Sequence, residues 1–104
     1  MLNQLVLVGR LTDDVKKEEE RAVITLAVSR SFKNDKGEYD TDFIPVILNG
    51  SIATNTMEYC KKGDVIGVKG RLQRLGKDFT ANGYPIIELV AEKVTFLSSP
   101  KKED

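Results

Sequence analysis

Phe32 stands among cations, in the run Arg30-Ser31-Phe32-Lys33. Core packing does not ask for an aromatic ring in that setting, whereas a surface that grips unpaired nucleotides does. A single strand of nucleic acid offers flat base faces and a charged backbone, so a general binder needs exposed aromatic planes beside mobile cations. The competing reading of Phe32 is a ring that covers the edge of the fold. Charge is the second chemical signal. The chain carries 16 Lys and Arg against 16 Asp and Glu, and a net charge of zero disfavours a polyanionic ligand if it is averaged over the molecule. A binding face needs only local excess. From Cys60 to Thr80 there are six basic residues (Lys61, Lys62, Lys69, Arg71, Arg74, Lys77) and two acidic ones (Asp64, Asp78). From Leu11 to Glu20 the balance reverses, with two basic residues and five acidic ones.

Other chemistries find little support. The chain has no histidine, no nucleophile placed beside a base and no glycine-rich phosphate loop with its lysine, so an enzyme is not expected. Asp13, Asp14 and Glu18-Glu19-Glu20 lack the spacing of metal ligands, and neither a metal nor a cofactor is expected. They read as a solvated acidic loop that repels a polyanion, marking the side away from a binding groove or narrowing the path along it. The single cysteine, Cys60, has no partner within the chain and reads as a packing residue in a reducing compartment. No apolar run approaches the length of a membrane span, and Met-Leu-Asn-Gln lacks the features of a signal peptide. A cytoplasmic, nucleoid-associated location is the expectation.

These residues must be positioned by a small scaffold. One domain is all that 104 residues allow, and at this size association is a common source of extra stability. Residues 2–11 read as a first strand, with Gly9 as a bulge or bend, and 22–31 as a second, with Ile24, Leu26 and Val28 on one face. Asn34-Asp35-Lys36-Gly37 signals a turn before a third strand at 39–48. Pro45 within it must face away from a neighbour or lie at a bulge. Asn49-Gly50-Ser51 opens a short helix at 52–60, with Ile52, Met57 and Tyr59 as buried candidates, Lys61 and Lys62 complementing its negative end and Gly63 closing it. Residues 64–75, with bends at Gly67 and Gly70, and 84–97 read as two further strands around a hairpin loop at 76–83. Three strands, a short helix and two strands is the order of an all-β OB-fold, a five-stranded Greek-key barrel with its helix between strands three and four. The expected domain is 1–97, followed by a polar tail at 98–104.

An ordered set of motifs then resembles one family. Met-Leu-Asn-Gln-Leu-Val-Leu-Val-Gly-Arg-Leu at the start is similar to the opening strand of bacterial single-stranded DNA-binding proteins. So are Thr25-Leu26-Ala27-Val28 with Arg30-Ser31-Phe32, Asp42-Phe43, Tyr59-Cys60-Lys61-Lys62-Gly63 and Val68-Lys69-Gly70-Arg71-Leu72. The resemblance implies an OB-fold protomer, usually in a homotetramer, that coats single-stranded DNA without strong sequence preference during replication, recombination or repair. It implies that Phe32 and Phe43 stack on bases. With it, Arg10, Arg30, Lys33, Lys62, Lys69, Arg71, Arg74 and Lys77 become the expected backbone contacts.

The sequence also departs from the pattern. Two further aromatics usual in the family fall on Asn49 and Lys77, with Phe79 a possible substitute for the second. The stacking platform is thinner, so binding is expected to lean on charge. Typical members carry a long extension with an acidic, apolar tip that recruits other proteins. This chain ends at Lys101-Lys102-Glu103-Asp104, so recruitment of replication proteins through such a tip is not expected. Two alternatives stand beside this reading: a primosomal replication protein of the same fold, binding DNA and a helicase as a dimer, and an OB module that binds only protein.

Overall fold

The computed structural model of the chain describes residues 1–100. Strands β1 (Leu5–Leu11), β2 (Lys17–Glu18), β3 (Arg21–Lys33) and β4 (Tyr39–Asn49) precede helix α1 (Gly50–Tyr59). Strands β5 (Val65–Arg74), β6 (Thr80–Ala81), β7 (Tyr84–Pro85) and β8 (Ile87–Ser98) follow it. The five long strands form a sheet in which β1 pairs with both β5 and β3, and this double pairing closes the barrel. Around the barrel the order is β1, β3, β4, β8, β5, all antiparallel except a single parallel bridge, Ile47 to Val90, between β4 and β8. The expected barrel, its helix and its strand order are present.

Alternation builds the wall. In β3 the even positions Ala22, Ile24 and Leu26 are buried, and Val28 packs against them. In β4 Val46 and Leu48 do the same, and in β5 Ile66 and Val68. Burying each such Leu, Ile or Val side chain contributes about 1.5–3 kcal/mol. The odd positions of β3 and β4 therefore face out. Pro45 is exposed on that side, and β4 meets β8 two residues further on, at Ile47.

Close backbone approaches set two corners. A Cβ at Gly70 would lie 2.5 Å from the Val90 carbonyl oxygen, and here the β5–β8 register shifts, with Glu92 as the extra residue. A Cβ at Gly9 would lie 2.8 Å from the Ala27 carbonyl oxygen, where β1 passes from β5 to β3. Gly9 is thus a close crossing and not a bulge. Gly67 sits in regular register and makes no bend.

Several local expectations are corrected. The helix buries Ala53 and Thr56, while Met57 and Tyr59 are exposed and Ile52 is half-buried. Positions 53 and 56 share the inward face, and that face meets the barrel through small side chains. Asn49 occupies the cap position without a side-chain cap bond, and the helix ends at Tyr59 before an extended Cys60. Gly63, at φ +91°, makes the later turn into β5. The last turn of α1 contains no basic residue. Lys61 and Lys62 act through their backbone N–H groups, which donate to the carboxylates of Asp64 (2.8 Å) and Asp14 (2.7 Å). Cys60 is buried in the core cluster, and desolvation, then the Asp64 charge, raise its thiol pKa, consistent with packing. Ser98 completes β8, so the tail begins later than expected, and its residues 101–104 lie outside the described residues.

Candidate nucleic-acid interface

The outward residues of β3 and β4 make one continuous wall. Ala27 is opposite Phe43, Thr25 opposite Pro45 and Val23 opposite Ile47. Same-face neighbours on a strand are about 6.6 Å apart, so Phe43, Pro45 and Ile47 form a track roughly 13 Å long. Phe43 is 66% exposed at its open end. Beyond Pro45 the wall deepens into an apolar slot of about 330 Å³, lined by Val23, Pro45, Ile47, Leu75, Ile86 and Ile87 among others. The Arg21 guanidinium crosses toward β8 and donates to the Glu88 carboxylate at 2.7 Å, closing the far end of the slot. Sequence reasoning missed Arg21, Val23, Ile47 and Ile87. One signal was present: residues 43–48 are apolar at successive positions, which implies cover on both faces of that strand.

Two arms extend the wall. The first is the far end of the β3–β4 ribbon. After a register shift between Ser29 and Lys33, Lys33 pairs with Tyr39. Phe32 therefore lies within the strand and not after it, and it is 63% exposed. The Asn34 side-chain oxygen accepts from the N–H groups of Lys36 and Glu38 and fixes the turn. The Lys33 ammonium lies 5.8 Å from the Tyr39 ring centre. Arg30 is engaged by acid: its guanidinium donates twice to the Asp42 carboxylate at 3.0 Å, with Asp40 at 3.9 Å. The hydrogen bond and charge of Asp42 raise the Arg30 pKa, and the reciprocal hydrogen bond lowers that of Asp42.

The second arm is the β5–β8 hairpin, where the sequence suggested a loop. It contains the miniature ribbon β6–β7, turned by Asn82 and Gly83 with φ +53° and +80°. Two successive positive φ values at Asn-Gly mark the tight turn that suits a twisted hairpin. Phe79 is 57% exposed, and its ring lies where a Cβ on Gly76 would meet it at 2.9 Å. Arg74 and Lys77 are exposed, and neither is in an ion pair among the described residues.

The remaining expected contacts are dispersed. Arg10 is opposite Ala27, so it shares an outward row with Phe43, and its guanidinium donates to the Gly63 carbonyl. Lys62 borders a hollow with Asp13, Asp14 and Val23. Lys69 lies on the outer wall of β1, β5 and β8, away from the track, whereas Arg71 is opposite Val90, the bridge partner of Ile47 at the track's end, and faces Glu92 at 3.7 Å. Glu18 and Glu19 share a hollow with Arg21 and Val23. The acidic segment thus borders the wall and narrows it. No cluster of three or more acidic or sulfur side chains that could hold a metal occurs among the described residues, and no described helix is long and apolar enough to cross a membrane.

A closed five-stranded barrel with a helix between its third and fourth long strands, and an aromatic, partly cationic outer wall, defines an OB-fold module. A profile described as the single-strand binding protein family matches residues 2–97. The chain is 41% identical to single-stranded DNA-binding protein 1 of Clostridium acetobutylicum, over 97% of this chain and 98% of that protein. It is 39% identical to single-stranded DNA-binding protein B of Bacillus subtilis, over 99% and 96%. The crystal structure of the wild-type single-stranded DNA binding protein from Thermus aquaticus has the same fold, with a TM-score of 0.74, at 24% identity over 93% of this chain and 50% of that one. The chain belongs to the single-strand binding protein family.

Proposed function

We propose that the protein binds and protects single-stranded DNA, without catalysis and without strong sequence preference, during replication, recombination or repair. The observation that carries this reading is the outward exposure of Phe32 and Phe43 on the β3–β4 ribbon of a barrel of this family. A soluble domain gains nothing from two large rings left in water, whereas each ring that stacks on a base contributes about 1–3 kcal/mol. Phe79 supplies a third plane from the hairpin arm. Lys33, Arg74 and Lys77 on the arms meet phosphates, with Arg10 beside Phe43 and Lys62 at the acidic margin. Arg30 joins them once it leaves Asp42.

The proposed assembly is a homotetramer. Its support is the amount of apolar surface left open, including Val6, Val8, Tyr59, Phe96 and Leu97. A stable dimer by sedimentation would instead favour the primosomal reading. Anisotropy of labelled oligo(dT) at two salt concentrations tests the function itself. The expected result is binding that weakens as salt rises. Absence of binding at micromolar protein and low salt would overturn the reading in favour of a protein-interaction module.

A further inference from the structure

We propose that the apolar slot beyond Pro45 is an insertion pocket for one unpaired nucleobase, which enters edge-first and meets the Arg21–Glu88 pair with its Watson–Crick edge. The inference deepens the reading of the protein as a single-stranded DNA binder and rests on it. The slot lies at the end of the track formed by Phe43, Pro45 and Ile47, so a strand that stacks a base on Phe43 continues to its mouth. Val6, Val8, Tyr59, Phe96 and Leu97, the surface assigned to assembly, take no part in its lining. Ile47 is buried, whereas Val23, Pro45, Leu75 and Ile87, which line the slot with it, are exposed. At about 330 Å³ the slot is at the small end of ligand pockets, a size for one ring system and not for a peptide segment. Apolar side chains on either side of a ring are how an extruded base is held by its faces.

The end of the slot is polar, and its polarity does not suit a phosphate. Arg21 on β3 and Glu88 on β8 meet across β4, with the guanidinium donating to Oε2 of Glu88 at 2.7 Å. The Glu88 side chain is only 11% exposed, and its Oε1 accepts from the Gln73 amide at 3.4 Å. A carboxylate can only accept hydrogen bonds, and its charge repels a phosphate backbone. On a surface that binds a polyanion, such a group finds its partner in the N–H of a base. Arg21 supplies the complementary half. A guanidinium has more N–H donors than this one bond uses, and no second bond from it occurs among the described residues. Every base carries a donor beside an acceptor on its Watson–Crick edge, and turning the base over reverses their order. The pair therefore accepts any base, in keeping with binding that has no strong sequence preference.

The test compares oligo(dT) of about 16 nucleotides, the upper site size of one OB fold, with an oligomer of N3-methylthymidine of the same length. Methylation at N3 removes the donor and blocks the Watson–Crick edge, but it leaves the ring face and every phosphate in place. The unmodified protein is expected to bind oligo(dT) about tenfold more tightly, the worth of one hydrogen bond to a charged group, with equal salt slopes for the two. The double variant Arg21→Ala, Glu88→Ala removes the pair together and leaves no unpaired buried charge. It is expected to bind the two oligomers within about twofold of each other. Equal affinity of the unmodified protein for both oligomers overturns the proposal and leaves the slot to a protein side chain; that measurement needs no variant to fold. Full discrimination in a double variant that still melts cooperatively also overturns it, by placing the edge contact elsewhere. So does a salt slope that differs between the oligomers, by moving the loss to the backbone. If the unmodified protein binds neither oligomer, the proposed function itself fails, and this inference falls with it.

Discussion

The two arms of the barrel solve different halves of one problem. The β3–β4 ribbon carries Phe43 in its regular ladder, opposite Ala27, and Phe32 in strand β3 at the register shift before Lys33 meets Tyr39, and its Arg30 is already neutralised by Asp42. The β5–β8 hairpin carries Arg74 and Lys77 outside any ion pair among the described residues, and its rings lie off the long ladder, Phe79 in a loop against Gly76 and Tyr84 on the short β7. A base plane must be met at a fixed height and tilt, so stacking belongs on a rigid ladder. A phosphate attracts a cation from many directions, so charge works from a flexible stem. The contrast separates the two terms of single-strand affinity onto two elements, and each can be removed without the other.

The sharpest break is therefore at the rings. Phe43→Ala is expected to weaken oligo(dT) binding by about 1–3 kcal/mol, and Phe32→Ala by a similar amount, with salt slopes unchanged. Both side chains are more than 60% exposed, so thermal melting should hold near its original midpoint. An affinity loss accompanied by a lowered melting temperature would mean that the rings cover the barrel and do not stack.

A change in the scaffold gives the opposite signature. At Gly70 an added Cβ would approach the Val90 carbonyl to 2.5 Å, where backbone must give way. Gly70→Ala should cost about 1–3 kcal/mol of stability, read as a lower midpoint in urea. Affinity measured well below that midpoint should be retained. Selective loss of binding in a fully stable variant would show that the β5–β8 corner acts on the site directly.

At the hairpin the expected effect is on slope more than on affinity. Replacing Arg74 and Lys77 with Ala should make the salt dependence shallower by about 1.4, two phosphates at 0.7 each. If the slope does not move, the arm lies off the DNA path and the separation of roles fails.

Much of this was legible in the residues. The alternation of Ile24, Leu26 and Val28 gave the inner face of β3, and the order of strands and helix gave the barrel. Phe32 was visible as a ring among cations. Less legible was anything that depends on which neighbour a strand meets. The partner of Arg30 is Asp42, 12 residues away, and the partner of Arg21 is Glu88, 67 residues away. Neither follows from local spacing, so a positive residue counted as free was in one case engaged and in the other overlooked. Counting charges from Cys60 to Thr80 likewise grouped Lys69 with Arg71, Arg74 and Lys77, although the ladder places Lys69 beside Val6 of β1 and Arg71 beside Val90, the bridge partner of Ile47. The helix was misread at Met57 and Tyr59 because hydrophobicity was taken for burial, while the barrel mouth accepts the smaller Ala53 and Thr56.

The smallest predicted effect is the one that tests the engaged arginine. Asp42 holds Arg30 in a two-bond clamp, but both side chains are about 45% exposed, so the pair contributes little to stability and a phosphate can replace the carboxylate. Asp42→Asn should then tighten oligo(dT) binding slightly and steepen the salt slope by up to about 0.7, one additional phosphate. The pH dependence has a definite sign. The hydrogen bond from Arg30 lowers the Asp42 pKa, so the clamp is intact above the ordinary carboxylate range and is lost as pH falls through the lowered value. Acidification into that range should thus narrow the difference between the unmodified protein and Asp42→Asn, while at neutral pH the difference is full. A variant that binds more weakly at neutral pH would mean that the clamped guanidinium is itself a stacking plane, and the β3–β4 arm would then supply charge and surface together.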